Sequence, residues 1–143
     1  MNPLSPIEDV CQAMRAIFVG VMIAGEISST KGRCLQASIM LERALDQMTD
    51  GSAIVRGGDG ASDGGACDVM GKWHGHYWVE GVTVDGQPFV ADITADQFGW
   101  PEVVVLPLPF ARRRYQPGDD ELCGHAVDEQ VDQMLATMGL ARD

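Results

Sequence analysis

His76-Tyr77-Trp78-Val79-Glu80-Gly81-Val82-Thr83-Val84, followed by Asp85-Gly86 and then by Gln87-Pro88-Phe89-Val90-Ala91-Asp92-Ile93-Thr94, reads as two strands joined by a turn. Aromatic and β-branched side chains fill both arms, and Asp-Gly is a strong hairpin signal because glycine accepts a positive φ at little cost. The first arm extends back to Trp73, and the second covers Pro88 to Thr94. One arm carries a histidine and the other an aspartate. Direct opposition of His76 and Asp92 would put the hairpin midpoint at Val84, whereas a two-residue turn at Asp85-Gly86 would set His76 across from Ala95. A bulge or a longer loop must therefore shift the register if Asp92 is to orient the imidazole.

Upstream, the spacing predicts two helices. Ser5, Pro6 and Glu8 stand in the order of an N-cap, a first-turn proline and a capping-box acid, and Ile7, Val10, Met14, Ile17, Phe18 and Val21 recur with helical period up to about Ala24. Gly25 supplies a stop, and the polar stretch Glu26 to Arg33 leads to a second helix over Cys34 to Met48. Leu35, Ile39, Met40, Leu41, Ala44, Leu45 and Met48 occupy more than one face of it, the pattern of a central helix packed on several sides. Ser52 to Arg56 reads as a short strand. The run Gly57 to Gly65 offers almost no side chain to a core and is expected to be a mobile loop.

Downstream, a third strand is expected at Val103 to Leu106, then an irregular surface connection over Ala111 to Asp120. A last helix follows, with Val127, Val131, Met134, Leu135 and Met138 in one stripe and Gly139 beyond its end. Helices first, antiparallel strands next and a closing helix, without βαβ alternation, make an α+β pattern. A chain of 143 residues with 45% apolar and 22% charged residues fits one globular domain, residues 1–143.

Charge and cysteine usage narrow the partners. A formal net charge of -11 excludes general nucleic-acid binding, for which only Arg112, Arg113 and Arg114 begin to supply a basic surface; that run reads as a solvated offset to the acidic tail. The apolar stretch Ala16 to Gly25 is too short to span a bilayer and follows Glu8 and Asp9 rather than a basic segment, so neither a signal peptide nor a membrane segment is expected. Cys11, Cys34, Cys67 and Cys123 are irregularly spaced and read as free thiols of a cytoplasmic protein.

Among these thiols Cys34 has the setting of a nucleophile. It opens the central helix directly after Lys31-Gly32-Arg33, where the helix dipole and neighbouring cations favour a thiolate and unpaired amides are available to an oxyanion. With His76 and Asp92 the roles are those of a triad. Cys34 attacks, His76 takes and returns the proton, and Asp92 fixes the tautomer and stabilises the imidazolium.

Gly32-Arg33-Cys34 before a helix, His76-Tyr77-Trp78-Val79-Glu80 on a strand and Val90-Ala91-Asp92-Ile93-Thr94 on the next resemble the Cys, His-x-Trp-[Val/Leu]-Glu and Asp-x-Thr signatures of the transglutaminase-like superfamily. That superfamily shares its core with papain-like cysteine proteases. The resemblance covers about Gly32 to Gly99 and implies a papain-like core, with a central helix carrying the Cys packed on an antiparallel β-sheet carrying the His and Asp. It also implies a cysteine-dependent hydrolase or acyl transferase of peptidase, amidase or deamidase type, acting on a peptide, protein or small amide, with Cys34, His76 and Asp92 catalytic and no cofactor. A catalytically silent peptide- or protein-binding module on the same fold is the alternative. Papain-like proteases place an oxyanion glutamine before the cysteine, and Glu26 to Arg33 contains none. The chain length favours hydrolysis or deamidation over protein cross-linking.

Around the triad, Trp78 is expected as core and groove wall, and Gln97, in Asp96-Gln97-Phe98-Gly99, as a hydrogen-bond donor in the cleft; these two are the candidate substrate-binding residues. Zinc is the rival chemistry, drawn from Cys67, His74, His76, Cys123 and His125, but the His-x-His and Cys-x-His spacings do not match zinc sites and no paired CxxC occurs. Gly57 to Gly65 resembles a single copy of a calcium repeat, and such sites are built from stacked copies. No metal ligand is therefore assigned.

Overall fold

The computed structural model of the chain describes residues 3–25, 33–137 and 139. Helix α1 spans Ser5–Ala24 and α2 spans Cys34–Met48. The first α1 turn departs from the expected capping box. Leu4 takes the N-cap position without a side-chain cap hydrogen bond, and Ser5 is already helical. At the other end of the pair, α2 is closed by Thr49, whose amide and Oγ1 both donate to the Leu45 carbonyl.

Strands β1 (Ser52–Gly58), β4 (His76–Val82), β5 (Pro88–Asp92) and β6 (Val104–Pro107) form an antiparallel sheet in the order β1-β4-β5-β6. A smaller sheet in the order β3-β2-β7 is built from β2 (Gly65–Cys67), β3 (Trp73–His74) and β7 (Tyr115–Gln116). A one-turn helix α3 (Leu108–Ala111) precedes β7, and α4 (Asp120–Thr137) follows it. Asp119 caps α4 by accepting from the Glu121 and Leu122 amides. The expected stripe on α4 is only half buried at Val127, Val131, Met134 and Leu135, and Met138 lies outside the described residues.

Side-chain alternation divides the large sheet between two cores. Val79, Phe89 and Ala91 point to the face covered by α1 and α2, where they join Ile7, Val10, Phe18, Leu41 and Leu45. Burying a side chain of this size contributes about 1.5–3 kcal/mol, so this face carries much of the stability. Trp78 and Val90 point to the opposite face, against Ala66, Ala95, Phe98, Val104, Ala111 and Tyr115. On α2 the buried residues are Ala37, Ser38, Ile39, Leu41 and Leu45, while Met48 is exposed.

Two loop expectations are corrected. Gly57 to Gly65 closes β1, turns through residues 59–64 and opens β2. Asp59 Oδ1 accepts the Ala61 and Asp63 amides, and the Asp63 carboxylate in turn accepts the Asp119 amide. Glycine is required because backbones touch: a Cβ at Gly58 would come within 2.3 Å of the Asp63 carbonyl oxygen and the Gly65 nitrogen. Likewise Ala111 to Asp120 is not a surface connection, since Tyr115 is 1% exposed and pairs with Ala66 in the small sheet.

Candidate active site

The register of the β4–β5 hairpin positions the site. Val79 pairs with Ala91, Glu80 with Val90, Gly81 with Phe89 and Val82 with Pro88. The connecting residues 83–87 form a loop longer than an Asp-Gly turn, closed by the Thr83 amide donating to Gln87 O and the Gly86 amide donating to Thr83 O. Continued along the strands, this register sets Asp92 opposite Trp78, so His76 and Asp92 are diagonal neighbours on one face of the sheet. The loop supplies the register shift that the sequence required.

His76 Nε2 lies 2.8 Å from Asp92 Oδ2, and both residues are 1% exposed. Asp92 is saturated with donors: Tyr115 OH donates to Oδ2 at 2.8 Å, the Thr94 amide to Oδ1 at 2.9 Å and Thr94 Oγ1 to Oδ1 at 3.3 Å. Burial alone would raise this carboxyl; the charge and hydrogen bond of His76, the Thr94 amide and the Tyr115 hydroxyl outweigh it and hold Asp92 below the usual carboxylate value. Burial likewise acts to lower His76. The Asp92 charge and hydrogen bond, then a hydrogen bond and charge interaction with Cys34, prevail and raise it to about 9. Tyr115 is pushed well above its ordinary value by burial and then by Asp92, so it stays a neutral donor.

Cys34 is half buried at the first residue of α2 and meets the His76 ring. Nε2 is committed to Asp92, and Nδ1 lies 3.4 Å from Gln97 Nε2. Helix α2 makes its first backbone bond from Ala37 N–H to Arg33 O, which leaves the Cys34 amide free of intrahelical pairing. Lys31 and Gly32, expected to flank the thiol, lie outside the described residues.

The two candidate substrate-binding residues part company. Trp78 is 0% exposed and supports the site from within the core, its indole N–H donating to Glu80 Oε2 at 2.9 Å and its ring against Tyr115. It presents no surface to a ligand. Gln97 is half buried in a 3-10 turn, Ala95–Phe98, with Nε2 at 3.4 Å from His76 Nδ1. Phe98 of that turn is buried and packs edge-on against the His76 ring, with centroids 4.7 Å apart.

Four contributors escaped the sequence reading. Tyr115 comes from the segment expected at the surface. Arg112 is not a solvated charge: its NH1 and NH2 form a fork on the Glu80 carboxylate at 2.8 and 2.7 Å, and Arg56 adds a third contact at 3.1 Å. Arg114 stacks over Trp100, 3.7 Å from the ring centroid. Arg15 of α1 is 9% exposed and donates to the Ile93 carbonyl and to both Asp96 oxygens, which pins the Asp92 to Gln97 segment from behind. A buried arginine within a helical apolar stripe was the available signal.

Of the rival zinc ligands, His74 pairs with Asp68 at 2.8 Å and stacks on Phe98. Cys123 Sγ contacts the Val55 carbonyl, and burial, then Asp120, pushes its thiol up to about 11. Among the described residues no group of three or more His, Cys, Asp or Glu is placed to hold a metal ion, and no helix is long and apolar enough to cross a membrane. Protein-family models, curated proteins and solved structures contain no match to the chain.

Proposed function

We propose that the chain is a cysteine-dependent hydrolase or acyl transferase of peptidase, amidase or deamidase type, built on a papain-like, transglutaminase-like core. One observation carries the reading: a buried imidazole hydrogen-bonds a donor-saturated carboxylate, Asp92, at 2.8 Å and interacts with a half-buried thiol at a helix N-terminus. Such an arrangement holds the ring in one orientation and stabilises its protonated form next to the sulfur. In the proposed reaction Cys34 Sγ attacks an amide carbonyl carbon and His76 Nδ1 hands a proton to the departing amine. The resulting thioester is then resolved by water, with His76 as base, or by an acceptor amine.

The α+β arrangement supports the core assignment, since the thiol-bearing helix α2 packs on the sheet whose β4 and β5 carry His76 and Asp92. The test is the rate of Cys34 alkylation by iodoacetamide as a function of pH. We expect reaction faster than that of a model thiol below neutral pH, slowed at least tenfold in His76→Ala. Alkylation equal to the model thiol at every pH refutes the proposal.

A further inference from the structure

Arg15 stands buried in the apolar stripe of α1 and reaches the chain that leaves β5. Its NH1 donates to the Ile93 carbonyl and to Asp96 Oδ1, both at 2.8 Å, and its NH2 donates to Asp96 Oδ2 at 3.2 Å and lies 3.7 Å from Glu102. A guanidinium is a poor source of stability in such a place. Burying an ion pair gains little over an apolar side chain of similar volume, and Arg15 Nε is itself buried without a partner. What the group fixes is geometry. Strand β5 ends at Asp92, and the turn beyond it is closed by long backbone bonds, Gln97 N–H to Thr94 O at 3.4 Å and Gly99 N–H to Asp96 O at 3.2 Å. Arg15 clamps this stretch at Ile93 and Asp96, on either side of Thr94. Thr94 is the residue whose amide and hydroxyl both donate to Asp92 Oδ1, at 2.9 and 3.3 Å. The clamp thus sets the two donors on one carboxylate oxygen, while Tyr115 and His76 share the other.

Resting on the triad reading, the geometry points to Arg15 as a positioning residue of the site, which acts through Ile93, Asp96 and Thr94 to aim the Asp92 carboxylate at His76 and touches none of the reacting atoms. Helix α1 precedes the Gly32 to Gly99 stretch that carries the resemblance, so none of its motifs supplies this contact. Aim matters, because a displacement of about 1 Å costs as much as roughly 10²-fold in rate. The titratable groups that face the His76 and Asp92 pair, Cys34 of α2, Tyr115 of β7 and Cys11 of α1, stay in place in each variant tested.

Three variants of the full chain separate aim from charge and from stability. Arg15→Met removes the guanidinium, Arg15→Lys keeps its charge without the fork, and Asp96→Ala removes the fork's acceptor from an exposed position while Arg15 keeps the Ile93 carbonyl. Two readouts are taken without denaturant: the rate of Cys34 alkylation by iodoacetamide against pH, and the NMR signal of the His76 ring proton shared with Asp92. In Arg15→Met the alkylation rate below neutral pH should fall by about tenfold or more, and the ring-proton signal should shift or broaden. Arg15→Lys should recover only part of both, and Asp96→Ala should move both in the same direction by less. Lost stability alone acts the other way, since a fold that opens more often exposes its thiols; the buried Cys11 and Cys123 should stay unlabelled. Parental rate and signal in a folded Arg15→Met overturn the proposal. Full recovery by lysine also overturns it, because positive charge would then suffice. If Arg15→Met does not fold, parental rate and signal in Asp96→Ala overturn it. If the parent Cys34 alkylates no faster than a model thiol, the triad reading fails and this one fails with it; a reactive parent with unaffected variants removes Arg15 alone.

Discussion

Tyr115 and His76 donate to the same oxygen of Asp92, each at 2.8 Å, so the carboxylate that orients the imidazole is itself oriented by a phenol from the small sheet. Removing the phenolic oxygen leaves Asp92 with His76 and Thr94. Tyr115→Phe should therefore cost about 1–2 kcal/mol of stability, read as a lower urea midpoint with unchanged slope. It should also raise the Asp92 pKa, since a donor to the ionised form is lost. The acid-side loss of stability, which begins at the unfolded value in both proteins, should then be smaller than in the parent and complete at a higher pH. A variant with the parental acid limb would show that the hydroxyl does not act on the carboxylate.

Asp92→Asn keeps a hydrogen-bond acceptor beside His76 but removes the charge that counters burial. The imidazole pKa should fall from about 9, because the desolvation that acts to lower it is left opposed chiefly by Cys34. By analogy with other triads, turnover of an ester should drop by about 10²–10⁴-fold. NMR titration of the His76 ring gives the more direct measurement, and a ring that titrates unchanged would contradict the stated cause.

The pair also predicts how stability follows pH. His76 is raised above its unfolded value of 6.5 to about 9, so its contribution is fully present below about pH 6.5 and is lost as pH rises through about 9. Asp92 is depressed below 3.8, so its contribution is present above that value and is lost as pH falls through the folded value. Denaturant midpoints should therefore be highest between about pH 4 and 6.5 and decline toward pH 9. In His76→Gln the alkaline decline should flatten. An alkaline decline of the same size in that variant would assign it to another group.

What was legible in the sequence follows from where the information is local. The α1 and α2 bounds were readable because apolar period and a stop residue lie within each segment, and β4 and β5 because their composition is continuous up to the turn. Cys34, His76 and Asp92 were found as residue types at the ends of those elements, and the structure pairs His76 with Asp92. The register was not readable from the Asp-Gly dipeptide, because the loop from Thr83 to Gln87 closes through the Thr83 backbone and Oγ1, which bonds the Gln87 amide. Tyr115 and Arg112 were missed because their partners, Asp92 and Glu80, are distant in sequence; a charge run and a proline-rich approach give no hint of the pairing. The Gly57 to Gly65 run was misread for the complementary reason. Its order comes from aspartate side chains bonding backbone amides, and its glycines permit close packing rather than motion.

Arg112 grips Glu80 with both terminal nitrogens, and Glu80 also holds the Trp78 indole beneath the site. Burial would raise Glu80; Arg112, Trp78 and Arg56 outweigh it and keep the carboxyl below its usual value. Arg112→Ala should destabilise the fold by roughly 1–3 kcal/mol, less than a fully buried pair because the guanidinium is 29% exposed and partly screened. Arg112→Lys should recover only part of that loss, since a single ammonium cannot reproduce the fork. Full recovery by lysine would mean that charge alone, and not the paired geometry, holds Tyr115 and its neighbours in place.

The four cysteines should separate cleanly in a labelling experiment. Cys11 is 0% exposed, and burial, then Asp92 and Glu8, pushes its thiol up to about 12; Cys123 is 6% exposed and raised to about 11. Both are sealed and protonated at neutral pH, so neither should react with iodoacetamide until the fold opens. Cys34 and Cys67 are half buried, but of the two only Cys34 interacts with the His76 imidazole. Mass spectrometry of briefly treated native protein should therefore find the label first on Cys34, more slowly on Cys67, and on Cys11 and Cys123 only in denaturant. In His76→Ala the Cys34 rate should fall toward that of Cys67, which serves as the internal standard for an unassisted thiol on the same molecule. Equal rates at Cys34 and Cys67 in the parent would place both thiols in ordinary surroundings and remove the basis for a nucleophile at the start of α2.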